Sequence, residues 1–135
     1  MDGGLRKLFR QHLPQVDWQS VETAMTGEGV PDANYCVEGR EGWVEMKATK
    51  AWAVRVRPAQ VGWIERRLRH GGRVFVAVRR QHASRSDELW FFQGGAIRQL
   101  KDGGLRAVDP VHDVGHWGGG PTAWDWAAVL GAMRS

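Results

Sequence analysis

A single α/β domain, a mixed β-sheet flanked by α-helices, is predicted by three features of the sequence. Helical and strand-like periodicities alternate along the chain as helix, strands, helix, strands, helix, an order that lays helices on the faces of a sheet. The run Val74–Val78 is continuously apolar and too short for a helix, which marks a buried central strand. The chain has 135 residues, 42% of them apolar and 25% charged, a size and balance that suit one core.

Leu5, Leu8, Phe9 and Leu13 recur at helical spacing before Pro14, so residues 4–13 read as a first amphipathic helix. Val16 to Thr23 alternates weakly as a first strand, and TGEG at 26–29 turns the chain. Residues 33–38 and 43–49 read as two strands of a hairpin about the turn EGREG at 38–42. Pro58 opens a helix at a permitted first-turn position, Val61, Ile64 and Leu68 form its apolar stripe, and Gly71-Gly72 ends it. Glu88–Gln93 and Ala96–Leu100 are expected as strands about a Gly94-Gly95 turn. GHWGGGP at 115–121 is expected as a flexible loop. Thr122 is the expected cap of a last helix with Trp126, Val129, Leu130 and Met133 on one face. No internal repeat interrupts this order, so residues 1–135 are read as one domain.

Composition excludes several classes. Cys36 is the lone cysteine, which rules out an internal disulfide and a multi-cysteine zinc site and suits a reducing compartment. No apolar run reaches the roughly 18 residues of a spanning helix, and the first residues, MDGGLRKLFRQHL, are charged where a signal peptide is apolar. A cytoplasmic protein without a membrane partner is the expectation. No Gly-rich phosphate loop is present, so no nucleotide cofactor is expected. His112 and His116 stand four apart, but the glycines and prolines around them argue against the helix that would make them joint metal ligands.

Charge is more informative when located. The net charge is +4, yet residues 51–80 hold eight Arg against the single acid Glu65, a local +7 that leaves −3 for the rest of the chain. A basic cluster beside an acidic remainder is what a polyanion-binding face next to a cation pocket requires. A solvated Arg-rich helix would give the same count. Most of the eight Trp are expected in the core, with a few available to stack on bases.

The stretch GVPDANYCVEGREGWVEMKATK, residues 29–50, carries the chemistry. On a strand over 43–49, alternation puts Glu45 and Lys47 on one face and Val44, Met46 and Ala48 on the other. Hairpin pairing would bring the Asp32 carboxylate toward Glu45, and Pro31 restrains the backbone leading to it. Two hard oxygen ligands, completed by water and a phosphate oxygen, are what Mg²⁺ or Mn²⁺ prefers. Lys47 beside them can orient an attacking water or stabilise a pentacovalent transition state. Taken alone, Glu-x-Lys would also describe an exposed ion pair worth about 0–1 kcal/mol.

The fuller pattern is more specific. Pro31-Asp32, then twelve residues containing a hairpin turn, then Glu45-Met46-Lys47 on an apolar strand resembles the PD-(D/E)XK nuclease signature, over residues 16–80. Within that superfamily it is most similar to small virus-type replication-repair nucleases and Holliday-junction-resolvase-like proteins, whose compactness a viral or phage source, with the host cytoplasm as its setting, would suit. The resemblance implies a restriction-endonuclease-like core, Asp32 and Glu45 as metal ligands and Lys47 as the catalytic lysine. Glu22 resembles the upstream acid that completes the metal site. Gln60 resembles the polar residue that faces the scissile phosphate at the start of the following helix, where a helix N-terminus favours an anion.

Lys50, Arg55, Arg57, Arg66, Arg67 and Arg69 are the candidate nucleic-acid contacts, with Arg79-Arg80 after the central strand as further basic residues. The function expected is therefore a Mg²⁺-dependent deoxyribonuclease that is structure-selective for branched DNA such as a Holliday junction or flap. Two opposed cuts at a junction would call for a homodimer. A sequence-specific restriction-type nuclease or nuclease subunit, and a non-catalytic nucleic-acid-binding protein, are the alternatives.

Overall fold

Glu38 and Gly39 both have positive φ, 49° and 77°, and this two-residue turn sets the register on which the site depends. A turn with both central residues left-handed matches the twist of the strands it joins. It links β2 (Ala33–Val37) to β3 (Arg40–Thr49), so β3 starts three residues earlier than the expected turn at 38–42 allowed.

The computed structural model describes residues 2–21, 28–83 and 86–135. Its centre is a six-stranded sheet whose strands lie in chain order: β1 (Asp17–Ser20), β2, β3, β4 (Val74–Arg80), β5 (Glu88–Gln93) and β6 (Asp113–Trp117). Every pairing is antiparallel except β3 with β4, which are parallel. A parallel pair needs a crossover, and α2 (Pro58–Arg69) supplies it.

The sheet is covered on both faces. On one face α1 (Leu5–His12) and α4 (Trp126–Arg134) bring Leu5, Phe9, Val129 and Met133 against Val44, Met46, Phe75, Ala77 and Phe91. On the other, α2 and α3 (Ile97–Gly103) bring Val61, Ile64, Ile97 and Leu100 against Val74, Val76, Val78 and Phe92. Two core layers explain why β4 is apolar without alternation. The same division sorts β3, where Val44 and Met46 enter the first layer while Glu45 and Lys47 lie beneath α2. Ala48, expected in apolar surroundings, is exposed.

Several sequence expectations need correction. Residues 96–100 are not a strand: Gly94–Ala96 is a 3-10 turn that continues into α3. Ala96, Ile97 and Leu100 are buried while Arg98 and Lys101 are exposed, which is helical rather than two-fold spacing. The expected loop at 115–121 begins as strand, since Gly115, His116 and Trp117 pair with β5. The last helix is capped by Asp125 instead of Thr122, the Asp125 carboxylate accepting from the Ala128 N–H at 3.0 Å. The first strand ends at Ser20, and Glu22 and Thr23 lie outside the described residues. Among the described residues no helix is long and apolar enough to cross a membrane.

Gly29 fastens the segment that leads to Asp32. Its φ is +85°, and a Cβ there would run into the carbonyl oxygen of Ala59 in the first turn of α2. Gly29→Ala therefore combines left-handed strain with a backbone clash. It is expected to cost about 2 kcal/mol or more in denaturant unfolding, and wild-type stability in this variant would show that the loop does not rest on α2.

Candidate active site

The hairpin register places Ala33 opposite Val44, so Asp32 continues the ladder opposite Glu45 and shares its face. The Asp32 Oδ2 accepts from the Met46 N–H at 2.8 Å, which fixes the carboxylate at the edge of β3. The Asp32 carbonyl in turn accepts from the Val21 N–H at 3.0 Å.

Gln60 closes the site from above. It occupies the third position of α2, where its Oε1 accepts from the Arg57 N–H at 2.9 Å, the usual return contact of a helix start. The same oxygen accepts from Lys47 Nζ at 2.8 Å, and Gln60 Nε2 donates to Glu45 Oε2 at 2.5 Å. Lys47 Nζ lies 3.6 Å from Glu45 Oε2. Asp32, Glu45, Lys47 and Gln60 thus lie together under the first turn of α2.

Glu45 is 1% exposed, which distinguishes this arrangement from a solvated ion pair on a strand. Burial, followed by the hydrogen bond and charge of the Asp32 carboxyl, pushes the Glu45 carboxyl up from 4.5 to about 9, with Lys47 pulling the other way. The Glu45 carboxyl therefore keeps its proton at neutral pH. The donor set suits a hard divalent cation, which would replace that proton and relieve the repulsion. Among the described residues no group of three or more His, Cys, Asp or Glu could hold a metal. Asp32 and Glu45 are the two carboxylates the described residues bring together there, and the third acid expected, Glu22, lies outside the described residues.

The basic residues divide into two groups. Lys50, Arg55 and Arg57 are exposed between β3 and α2, and Arg66, Arg67 and Arg69 are exposed along α2. Arg66 and Arg69 border a shallow depression of about 450 Å³ with Glu28 and Val30. Arg79 and Arg80 do not join this face. Arg79 forks onto Asp87 at 2.9 and 2.7 Å and onto the Gly3 carbonyl, while Arg80 is 6% exposed and pairs with Glu88 at 3.2 Å. They are internal ion pairs. Trp52 is no free stacking platform either, being packed between Arg80 at 3.8 Å and Arg106 at 4.4 Å. His112 and His116 form no joint site: His116 stacks on Trp90 at 4.2 Å, and His112 lies against Gly95.

Sequence reasoning missed one feature, a groove of about 610 Å³ beside the carboxylates, lined by Gln19, Asn34, Trp43, Trp63 and Arg67 among others. Its signal was available in the two-residue spacing of Asn34 from Asp32 and of Trp43 from Glu45. The sequence matches no protein-family model and no curated protein. The chemistry of the site therefore rests on its geometry.

Because the native state keeps a proton on Glu45 that the unfolded chain releases near pH 4.5, folding stability should fall as pH rises from about 5 to 9. Glu45→Gln removes that titration while its amide still fills the space. Metal-free Glu45→Gln protein is expected to melt higher than wild type at pH 8, with the gap closing toward pH 5. A gap independent of pH in thermal melts would contradict the burial argument.

Proposed function

We propose that this chain is a metal-dependent endonuclease that hydrolyses phosphodiester bonds in DNA, on a restriction-endonuclease-like core. The observation that carries the reading is a buried Glu45 facing Asp32, with Gln60 hydrogen-bonded to it and to Lys47, beside the apolar layer of Val74, Val76 and Val78. Apolar residues of similar volume there would be as stabilising or more so, so the cluster favours a role in chemistry.

Asp32 and Glu45 are the residues that would hold Mg²⁺ or Mn²⁺, through the carboxylate oxygens that such ions prefer. When bound, the cation would offset charge on the phosphodiester and acidify a neighbouring water. Lys47 is placed beside Glu45 to donate to a phosphate oxygen or to the attacking water. Gln60 acts as a positioning residue, since it ties the Lys47 amine to the rigid start of α2. Lys50, Arg55 and Arg57 near the helix start, with Arg66, Arg67 and Arg69 along it, would hold the DNA backbone. The described residues form one sheet with its helices and include no separate base-reading module, which favours selection of branched or flapped DNA by shape. Cutting both strands of a junction would take two opposed copies, hence a symmetric homodimer.

The test is a panel of duplex, nicked, flapped and four-way DNA incubated with Mg²⁺, Mn²⁺ or chelator. Cleavage by wild type with either ion and none with chelator is expected. Lys47→Ala and Asp32→Ala should each lose about 100-fold or more in rate. Bound but uncut DNA in every arm would overturn the enzymatic reading and leave a binding protein. Arg66→Ala and Arg69→Ala should each lower the slope of log affinity against log salt by about 1.

A further inference from the structure

We propose that the groove beside the carboxylate pair is a subsite for one unpaired nucleobase next to the bond being cut, which deepens the nuclease reading and rests on it. The argument begins with register. Gln19 pairs with Asn34 and Asn34 with Trp43, so these three side chains form a row across the sheet on the face that carries Asp32 and Glu45. Two residues along a strand separate the rows, about 7 Å at the usual rise. That is the scale of one nucleotide, so a group in the groove belongs to the neighbour of the scissile phosphate.

The walls are of three chemical kinds. Trp43 and Trp63 meet edge to face with ring centres 5.1 Å apart, and the Arg67 guanidinium lies 4.6 Å from the Trp63 ring and 5.5 Å from the Trp43 ring. Trp63 is buried under Arg67, which leaves the half-buried Trp43 ring and the exposed Arg67 guanidinium as the planes able to accept the face of a base. Asn34 Nδ2 already donates to the Gly42 carbonyl at 2.9 Å and Gln19 Nε2 to the Ser20 carbonyl at 3.2 Å. Among the described residues neither side-chain carbonyl has a donor, so each can accept from a base amino or imino group. Glu41, which also lines the groove, can accept from the same base groups. The volume of about 610 Å³ falls in the range of small-molecule sites. A paired base cannot leave its stack to enter such a groove without a cost of a few kcal/mol, least for a base already single-stranded. The subsite therefore selects a flap, loop or gap beside the cut.

The probe is a hexamer of deoxyadenosine compared with an abasic sugar-phosphate hexamer of equal charge, each titrated in chelator at one salt concentration while tryptophan fluorescence and calorimetry are followed. Wild type is expected to bind the adenine hexamer about tenfold more tightly than the abasic one. Trp43→Leu and Gln19→Ala should each shrink that ratio to about threefold or less. Gln19 is exposed on β1, so its variant decides the matter if Trp43→Leu does not fold. Equal binding of the two hexamers by wild type, or an undiminished ratio in Gln19→Ala, overturns the subsite. Since no metal is present, the result is independent of cleavage. Base preference without hydrolysis sinks the nuclease reading alone, and hydrolysis without base preference sinks the subsite alone.

Discussion

The burial of a carboxyl in the central strand of the sheet is the constraint around which the rest is arranged. Glu45 sits on β3, between β2 and the parallel strand β4, with α2 above it. Removing an ionised carboxylate from water costs several kcal/mol unless it is neutralised or partnered. The fold answers by keeping Glu45 protonated against a neighbouring carboxyl and by supplying an amide donor and an amine, each from a different place in the chain. Asp32 comes from the far side of a two-residue turn, Lys47 from the same strand, and Gln60 from the helix that crosses over to β4.

That arrangement depends on packing remote from the site. The first turn of α2 is held against the loop before Asp32 by the Gly29–Ala59 approach, and its buried face rests on Val74, Val76 and Val78. On the opposite face α1 and α4 lock the alternate residues of the same strands, and the Tyr35 hydroxyl donates to the Met133 carbonyl at 3.0 Å. A strand held from both sides cannot slip by one residue without exchanging its polar and apolar faces. The site is rigid because the sheet is.

The arginines show how one residue type divides between two tasks. Arg79 and Arg80 are spent on Asp87 and Glu88, knitting β4 to β5 and the segment before it, whereas the arginines of α2 and its approach remain at the surface. Charge counting along the chain assigns both groups to one basic face. Only the pairing of β4 with β5, which sets Arg80 opposite Glu88, separates them.

What the sequence determined by itself was whatever depends on neighbours within one element. Two-fold alternation put Glu45 and Lys47 together, the helical stripe of Val61, Ile64 and Leu68 marked α2, and the unbroken apolar run marked β4. The chain at 96–100 misled because Gly94-Gly95 reads as a hairpin turn, whereas it opens a 3-10 turn that runs into α3 packed against α2. Tertiary structure alone decided that Gln60 bridges Lys47 and Glu45 and that Gln19, Asn34 and Trp43 line one groove. Those contacts join residues brought together by strand register and by a crossover helix, and local periodicity carries no information about distances across either.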